Sequence, residues 1–542
     1  MSSSTMSSRR VRARWLSLTT AAAAVAAVGL TSVASSATAD PNQFFTSSTS
    51  WENYGNDVFN TRTSFFERKI NSTTASRLKV KWTFKTRGDV SVTPTVSKGA
   101  IYFSDWSGWL YKADAKTGRK IWERYVPDFT GNPESVARTS PVVDTARNAI
   151  YITDWTEANL MSVDLSTGAL KWIKRIDTQY KSVLTMAPLL YNGKLYQGVS
   201  SRESEFAWDT THECCTFRGN VNAIDANTGA IIWKKYVVPD NGGVPGGYSG
   251  APLWGAPTVD PTTNTVYFTT GQNYSLPQSV YDCQDNGGTP AECHDPDNHY
   301  DSVLAYDARN GDLKWASGKR TFDAWNAACV PGLPPNNCPQ NPGDDYDFGD
   351  GAHLMLINYQ GRLRKVIGAG QKSGQYWMMD ANTGTVLWNA APGPGGHIGG
   401  IMWGTAWDMK RIYVAEANFN KTPYQLANGQ TTTHSSYAAL DPSTGRVLWQ
   451  VADPADGWAW APLTVAGDVV FGANTAGDMY AMNTRDGSIL WTFKPPYSTV
   501  GGPSVVDGTV YWGNGYNRFK YGAGTTGSNT EGTLYAFSVD GR

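Results

Sequence analysis

Six cysteines are the most reactive side chains in this 542-residue sequence, and their spacing narrows what they can do. Cys283 and Cys293 bracket one stretch, Cys329 and Cys338 bracket another, and Cys214 directly abuts Cys215. Such spacing suits disulfides, whereas a structural zinc site needs Cys and His ligands at set intervals that this chain lacks. Haem attachment through Cys-x-x-Cys-His is excluded as well, because Pro290 stands where Cys293-His294 would need its first Cys. The preferred scheme pairs Cys283 with Cys293, Cys329 with Cys338, and Cys214 with its neighbour. Pairing of Cys214 and Cys215 elsewhere, or their survival as thiols, stays open.

Disulfides imply export, and the first 39 residues read as a secretory signal. Arg9, Arg10, Arg12 and Arg14 precede the Ala-rich apolar run Leu16 to Val33, and Ala37-Thr38-Ala39 is a small-residue cleavage site before Asp40. The expectation is a secreted protein, residues 40–542, with no membrane span after processing. A retained anchor is the weaker alternative, since the run is interrupted by Ser and Thr.

The elements that must position any chemistry come from one nine-residue pattern, Asp-x-x-Thr-Gly-x-x-x-Trp. It runs from Asp114, Asp164, Asp225, Asp307, Asp380 and Asp441, with a looser copy from Asn483 to Trp491. Asp at the head of a tight turn accepts backbone N–H groups and Gly four residues on takes a positive φ, so each copy is a hairpin turn between two strands. The Trp that follows offers a large apolar plate for packing between neighbouring sheets. Gly532 to Gly541 repeats the strand and turn but lacks the Trp strand, which occurs instead at Leu78 to Phe84. The fold class is therefore all-β, an eight-bladed propeller of Trp-docking repeats whose ring is closed by pairing the N- and C-terminal strands. Aromatic residues at 12%, 22 Trp and 55 Gly agree with an all-β body built as a single domain over residues 40–542. A net charge of −1 argues against nucleic acid as the partner.

Repeat, blade number and export signal together resemble the quinoprotein alcohol dehydrogenases over essentially the whole mature chain. Glu213-Cys214-Cys215-Thr216-Phe217-Arg218-Gly219 and Asp323-Ala324-Trp325-Asn326-Ala327-Ala328-Cys329 are most similar to the polyvinyl-alcohol dehydrogenases of that group. The resemblance implies a PQQ (pyrroloquinoline quinone) cofactor in the propeller mouth, a calcium ion (Ca2+), an alcohol substrate, and a separate electron acceptor such as cytochrome c.

It also implies roles for individual residues. Thr185 and Ser200 match positions that touch the quinone, Glu203 the metal-binding carboxylate, Trp254 the flat floor and Arg138 the cation on a cofactor carboxylate. Lys372 matches the cation on the reactive carbonyl, and Asn418 a late cofactor contact. Gln272 stands where the family has a metal-binding Asn, with Asn273 beside it as a substitute donor. Asn326 stands where the family places its catalytic Asp, also near the metal, yet an amide cannot serve as a general base. Asp323, or a carboxylate of Asp344-Asp345-Tyr346-Asp347, would replace it. Cys214 and Cys215 would cover the quinone. Competing readings are a non-catalytic propeller binding proteins or wall components, resembling the outer-membrane assembly factor BamB, and a sugar or aldose oxidoreductase on the same scaffold.

Overall fold

Each repeat folds as a four-stranded antiparallel sheet, and a computed structural model of the chain describes residues 49–318, 321–517 and 525–542. The expected signal segment lies outside these residues. Eight such sheets form the ring. Blade 1 contains Thr95–Ser97, Ala100–Ser104, Trp109–Asp114 and Lys120–Tyr125, and blades 2 to 7 follow the same plan. Blade 8 takes Ser504–Val506, Thr509–Asn514 and Gly532–Val539 from the C-terminus and Leu78–Thr86 from the N-terminus. Leu78 pairs with Val539 and Thr86 with Gly532, so ring closure uses a full strand ladder.

The nine-residue pattern explains how neighbouring blades lock. Asp114 Oδ1 accepts the N–H groups of Lys116 and Thr117 at 3.1 and 2.8 Å, and Gly118 turns the chain at φ 72°. The indole of the preceding blade then lies against that glycine, where a Cβ would meet the Trp82 ring at 2.7 Å. In most blades its Nε1 donates to the carbonyl one residue after the Asp or Asn that heads the turn, Trp82 to Ala115 at 3.2 Å, Trp315 to Ala381 at 3.1 Å and Trp449 to Thr484 at 2.9 Å. Gly is thus required twice, once for backbone conformation and once for the close approach of an indole. Apolar core lies between blades: Tyr196 and Trp233 of blade 3 share one cluster with Val259, Phe268 and Tyr306 of blade 4.

A segment ahead of the first blade crosses one end of the ring and bonds to successive inner strands. Trp51 bridges Val96 of blade 1, Val143 N donates to Glu52 O, Val259 N to Val58 O, Leu354 N to Phe59 O, and Trp407 N to Thr61 O. Thr63–Ser64 then pairs in parallel with Val465 and Ala466 of blade 7. Arg62, fully buried, donates to Leu463 O and Tyr54 O at 2.6 and 2.8 Å. Among the described residues no helix is long and apolar enough to cross a membrane.

Candidate active site

Loops entering the innermost strands and loops leaving the second strands meet at the same end of the ring, around a cavity of about 440 Å³. That volume suits a small-molecule site. Six recurring segments enter it in a shared way: Ser91, Arg138, Thr185, Trp254, Met402 and Val500 each stand four residues before the first residue of an inner strand, and all line the cavity. From the other side, Trp155, Arg202, Gln272, Lys372 and Tyr516 follow second strands and line it too.

Among the residues expected from sequence, Arg138, Thr185, Ser200, Trp254, Gln272 and Lys372 converge here. Trp254 packs on Trp403 with ring centroids 4.9 Å apart, and Lys372 Nζ lies 5.6 Å from its ring. Gly349 makes room for that indole, because a Cβ there would stand 2.6 Å from Trp254 Cη2. The Arg138 guanidinium lies 5.4 Å from both the Trp106 and Trp403 rings, and no carboxylate among the described residues forms an ion pair with it. Thr185 Oγ1 and Gln272 Oε1 are buried without a hydrogen-bond partner. Buried polar atoms of this kind point to an absent partner, because leaving them unmatched is unfavourable.

Lys372 anchors the polar end. Its ammonium contacts Asp345 Oδ1 at 3.0 Å and Asp347 Oδ2 at 2.6 Å. Burial pulls the ammonium down, but the two carboxylates outweigh it and hold Lys372 above its ordinary value. Burial also pushes the Asp345 carboxyl well above its usual range; Lys372 opposes that rise, while Asp347 and Asp323 add to it. Asp347 Oδ1 accepts Gln272 N–H at 2.7 Å, so both of its oxygens are engaged. His397, also on the cavity wall, is lowered by burial and by Lys372.

The other expected site residues lie elsewhere, each for a visible reason. Asp323 is a support: it accepts the N–H groups of Asp345 at 3.1 Å and Tyr346 at 2.7 Å, and burial raises it to about 6. Asn326 caps the short 3₁₀ helix Ala327–Cys329, accepting Ala328 N–H and donating to Tyr274 O and Asn337 O. Asn273 exchanges amide hydrogen bonds with Asn298 and donates to Ser249 O. Asn418 holds its own loop through Thr422 and Thr433. Glu203 is fully buried, and its carboxylate accepts N–H groups of Thr216 and Phe217 and the Thr216 hydroxyl. The bonded pair Cys214–Cys215 packs in the core with Phe217 rather than lining the cavity. Cys283–Cys293 and Cys329–Cys338 are bonded as the spacing favoured.

This geometry discriminates between the two expected cofactors. A flat indole, an ion-pair-free guanidinium and two orphaned polar atoms on one cavity fit a planar, anionic, oxygen-rich group. The set expected for calcium does not fit: Glu203, Asn273 and Asn326 direct their oxygens to other protein groups, and only Gln272 offers one to the cavity. Trp403 and Trp460 also line the cavity and were not singled out from sequence, whereas Asp345 and Asp347 belong to the run named there as the alternative source of a base. The recurring small residue and proline before six of the eight inner strands, as in Ser140-Pro141, Ala187-Pro188, Ala256-Pro257 and Ala461-Pro462, was the signal that marks the cavity end of those blades.

Residues 51–328 match the family model described as glucose/ethanol/alcohol dehydrogenase, beta-propeller domain. The chain belongs to this family. Residues 433–541 also match the model of outer membrane protein assembly factor BamB. A polyvinylalcohol dehydrogenase of Pseudomonas sp is 29% identical over 530 residues, covering 91% of this chain and 77% of that protein. A quinohemoprotein alcohol dehydrogenase of Comamonas testosteroni is 25% identical, covering 91% and 76%. The crystal structure of a quinohemoprotein alcohol dehydrogenase from Comamonas testosteroni superposes with TM-score 0.69 at 19% identity, over 93% of this chain and 82% of that one. The last likeness concerns the fold alone, and the eight-bladed ring is shared.

Proposed function

We propose that this protein is a secreted PQQ-dependent dehydrogenase that oxidises secondary alcohols, including polymeric ones, to ketones. The observation that carries the reading is the convergence of Trp254, Arg138 and the Asp345–Lys372–Asp347 cluster on one cavity. The family match and the names of the similar proteins support the cofactor and the alcohol.

When bound, PQQ would supply an electrophilic quinone able to take up the two electrons released by alcohol oxidation. Trp254 gives the planar rings a stacking surface. Arg138 pairs with a cofactor carboxylate, a task suited to a fixed two-pronged donor. Thr185 Oγ1 takes a hydrogen bond with the cofactor's polar edge. Lys372 presents a positive charge at the end where negative charge develops. Asp345 removes the alcohol proton, because its second oxygen carries no protein partner in the described contacts while Asp347 has both engaged. Electrons leave to a separate acceptor such as a cytochrome. No step is assigned to calcium.

Mixing the purified protein with PQQ, in calcium and in chelator, tests this by reduction of a redox dye with polyvinyl alcohol, 2-propanol and sugars. Cofactor-dependent dye reduction with alcohols is expected. An absence of both cofactor binding and dye reduction would transfer the chain to the non-catalytic class suggested by its BamB-like segment. Reduction confined to sugars would select the aldose alternative.

A further inference from the structure

The chain between the outer strand of blade 4, Leu313–Ser317, and the inner strand of blade 5, His353–Tyr359, carries a loop closed by Cys329–Cys338. Trp325, Ala327, Val330 and Leu333 from this loop line the cavity. The loop is fixed from several directions. Asn326 donates to Tyr274 O at 3.1 Å and Asn337 O at 2.8 Å, and Asn337 donates to Ala207 O and His212 O, both at 2.8 Å. Gln340 and Asn341 donate to Asp285 of the neighbouring insertion at 3.0 and 3.1 Å. An aromatic rail continues the wall: Trp325 to His397 at 6.0 Å, His397 to Phe419 at 5.2 Å, and Phe419 to Trp458 at 4.8 Å. The cavity is thus charged at the Lys372 end and gains apolar lining here from Val330 and Leu333, with Ser204 and Glu205 of the short helix Glu203–Phe206 also on its wall.

We infer that Val330 and Leu333 are specificity-determining residues, forming with Trp325 and Phe419 an apolar subsite for the carbon arm of a secondary alcohol longer than 2-propanol. The inference rests on the alcohol oxidation proposed above. An arm hydroxylated on every carbon, as in a sugar, leaves its hydroxyls without partners against these side chains, whereas methylenes, which make up an alkyl arm and every second carbon of polyvinyl alcohol, lose nothing by desolvation there. The disulfide and the Asn326 and Asn337 bonds pre-order the wall, so little freedom is lost when an alcohol binds.

Two measurements on the full chain test it: the ratio of kcat/KM for 2-octanol to that for 2-propanol with the PQQ-loaded enzyme, and calorimetric titration of the apo-protein with 2-octanol. Leu333→Ser and Val330→Ser should each lower the ratio roughly tenfold, within the range that apolar pockets discriminate, and weaken 2-octanol binding in parallel. Leu333→Met, similar in volume and apolar, should retain both, which separates loss of the subsite from loss of fold. An unchanged ratio in the Ser variants, or equal losses with both alcohols, overturns the assignment. If the loaded wild type reduces no dye, the functional reading falls and titration alone decides: weaker 2-octanol binding in the Ser variants upholds the subsite, while equal or absent binding removes it.

Discussion

Asp345 carries the sharpest consequence at the scale of single residues. A general base acts when deprotonated, and burial raises this carboxyl, so the acid limb of kcat/KM should lie at higher pH than for an ordinary aspartate. Asp345→Asn should remove that limb and lower kcat by roughly 10²- to 10⁴-fold, measured by dye reduction across pH. A larger loss in Asp347→Asn, with the limb retained in Asp345→Asn, would move the base to Asp347. Glu203 invites a different expectation. Its oxygens accept backbone N–H groups at 2.7 to 3.0 Å from Thr216 and Phe217. Glu203→Ala should therefore cost about 3 kcal/mol of stability by leaving buried donors unmatched, read from urea unfolding. The family resemblance marked Glu203 as a metal ligand, but residue type could not tell a cation ligand from a turn anchor, since one carboxylate can serve either.

Turns and the indoles docked on them decide stability at the scale of elements. Gly384 has φ 71°, and a Cβ there would lie 2.5 Å from Trp315 Cε3. Gly384→Ala should accordingly destabilise by about 2 kcal/mol or more, from the left-handed backbone and the displaced indole together, visible as a lower urea midpoint. The Asp turn, the Gly and the Trp were all readable because they recur. Recurrence also pointed to the Trp packing between neighbouring sheets; what it did not reveal is that its partner is the Asp-Gly turn of the next blade. That contact joins different repeats, and a pattern within one repeat cannot report it.

For the whole molecule, the crossing segment from Trp51 to Ser64 couples ring integrity to pH through Asp57. Burial raises this carboxyl to about 7, against hydrogen bonds from Thr61 and Phe59 that lower it. The folded chain then holds a proton that the unfolded chain releases near pH 4. Stability should fall as pH rises from about 4 to about 7, by up to about 4 kcal/mol, and Asp57→Asn should flatten that slope. Urea midpoints at several pH values provide the check, and a slope unchanged by the substitution would remove Asp57 from the account.

Sequence by itself determined the all-β class, the eight blades, the borrowing of a strand over Leu78 to Phe84 by the last blade, and the side chains Trp254, Arg138 and Lys372 that meet at the cavity. The architecture follows from turn chemistry and strand patterning that act over a few residues and are repeated until unmistakable, whereas the three side chains were marked by the resemblance to the quinoprotein alcohol dehydrogenases. Tertiary structure alone decided that Asp323 and Asn326 support the site from behind while Asp345 and Asp347 face it. The reason is physical: a carboxylate or amide is assigned its task by whichever donors and acceptors the packed chain brings within 3 Å, and those partners lie tens to hundreds of residues away.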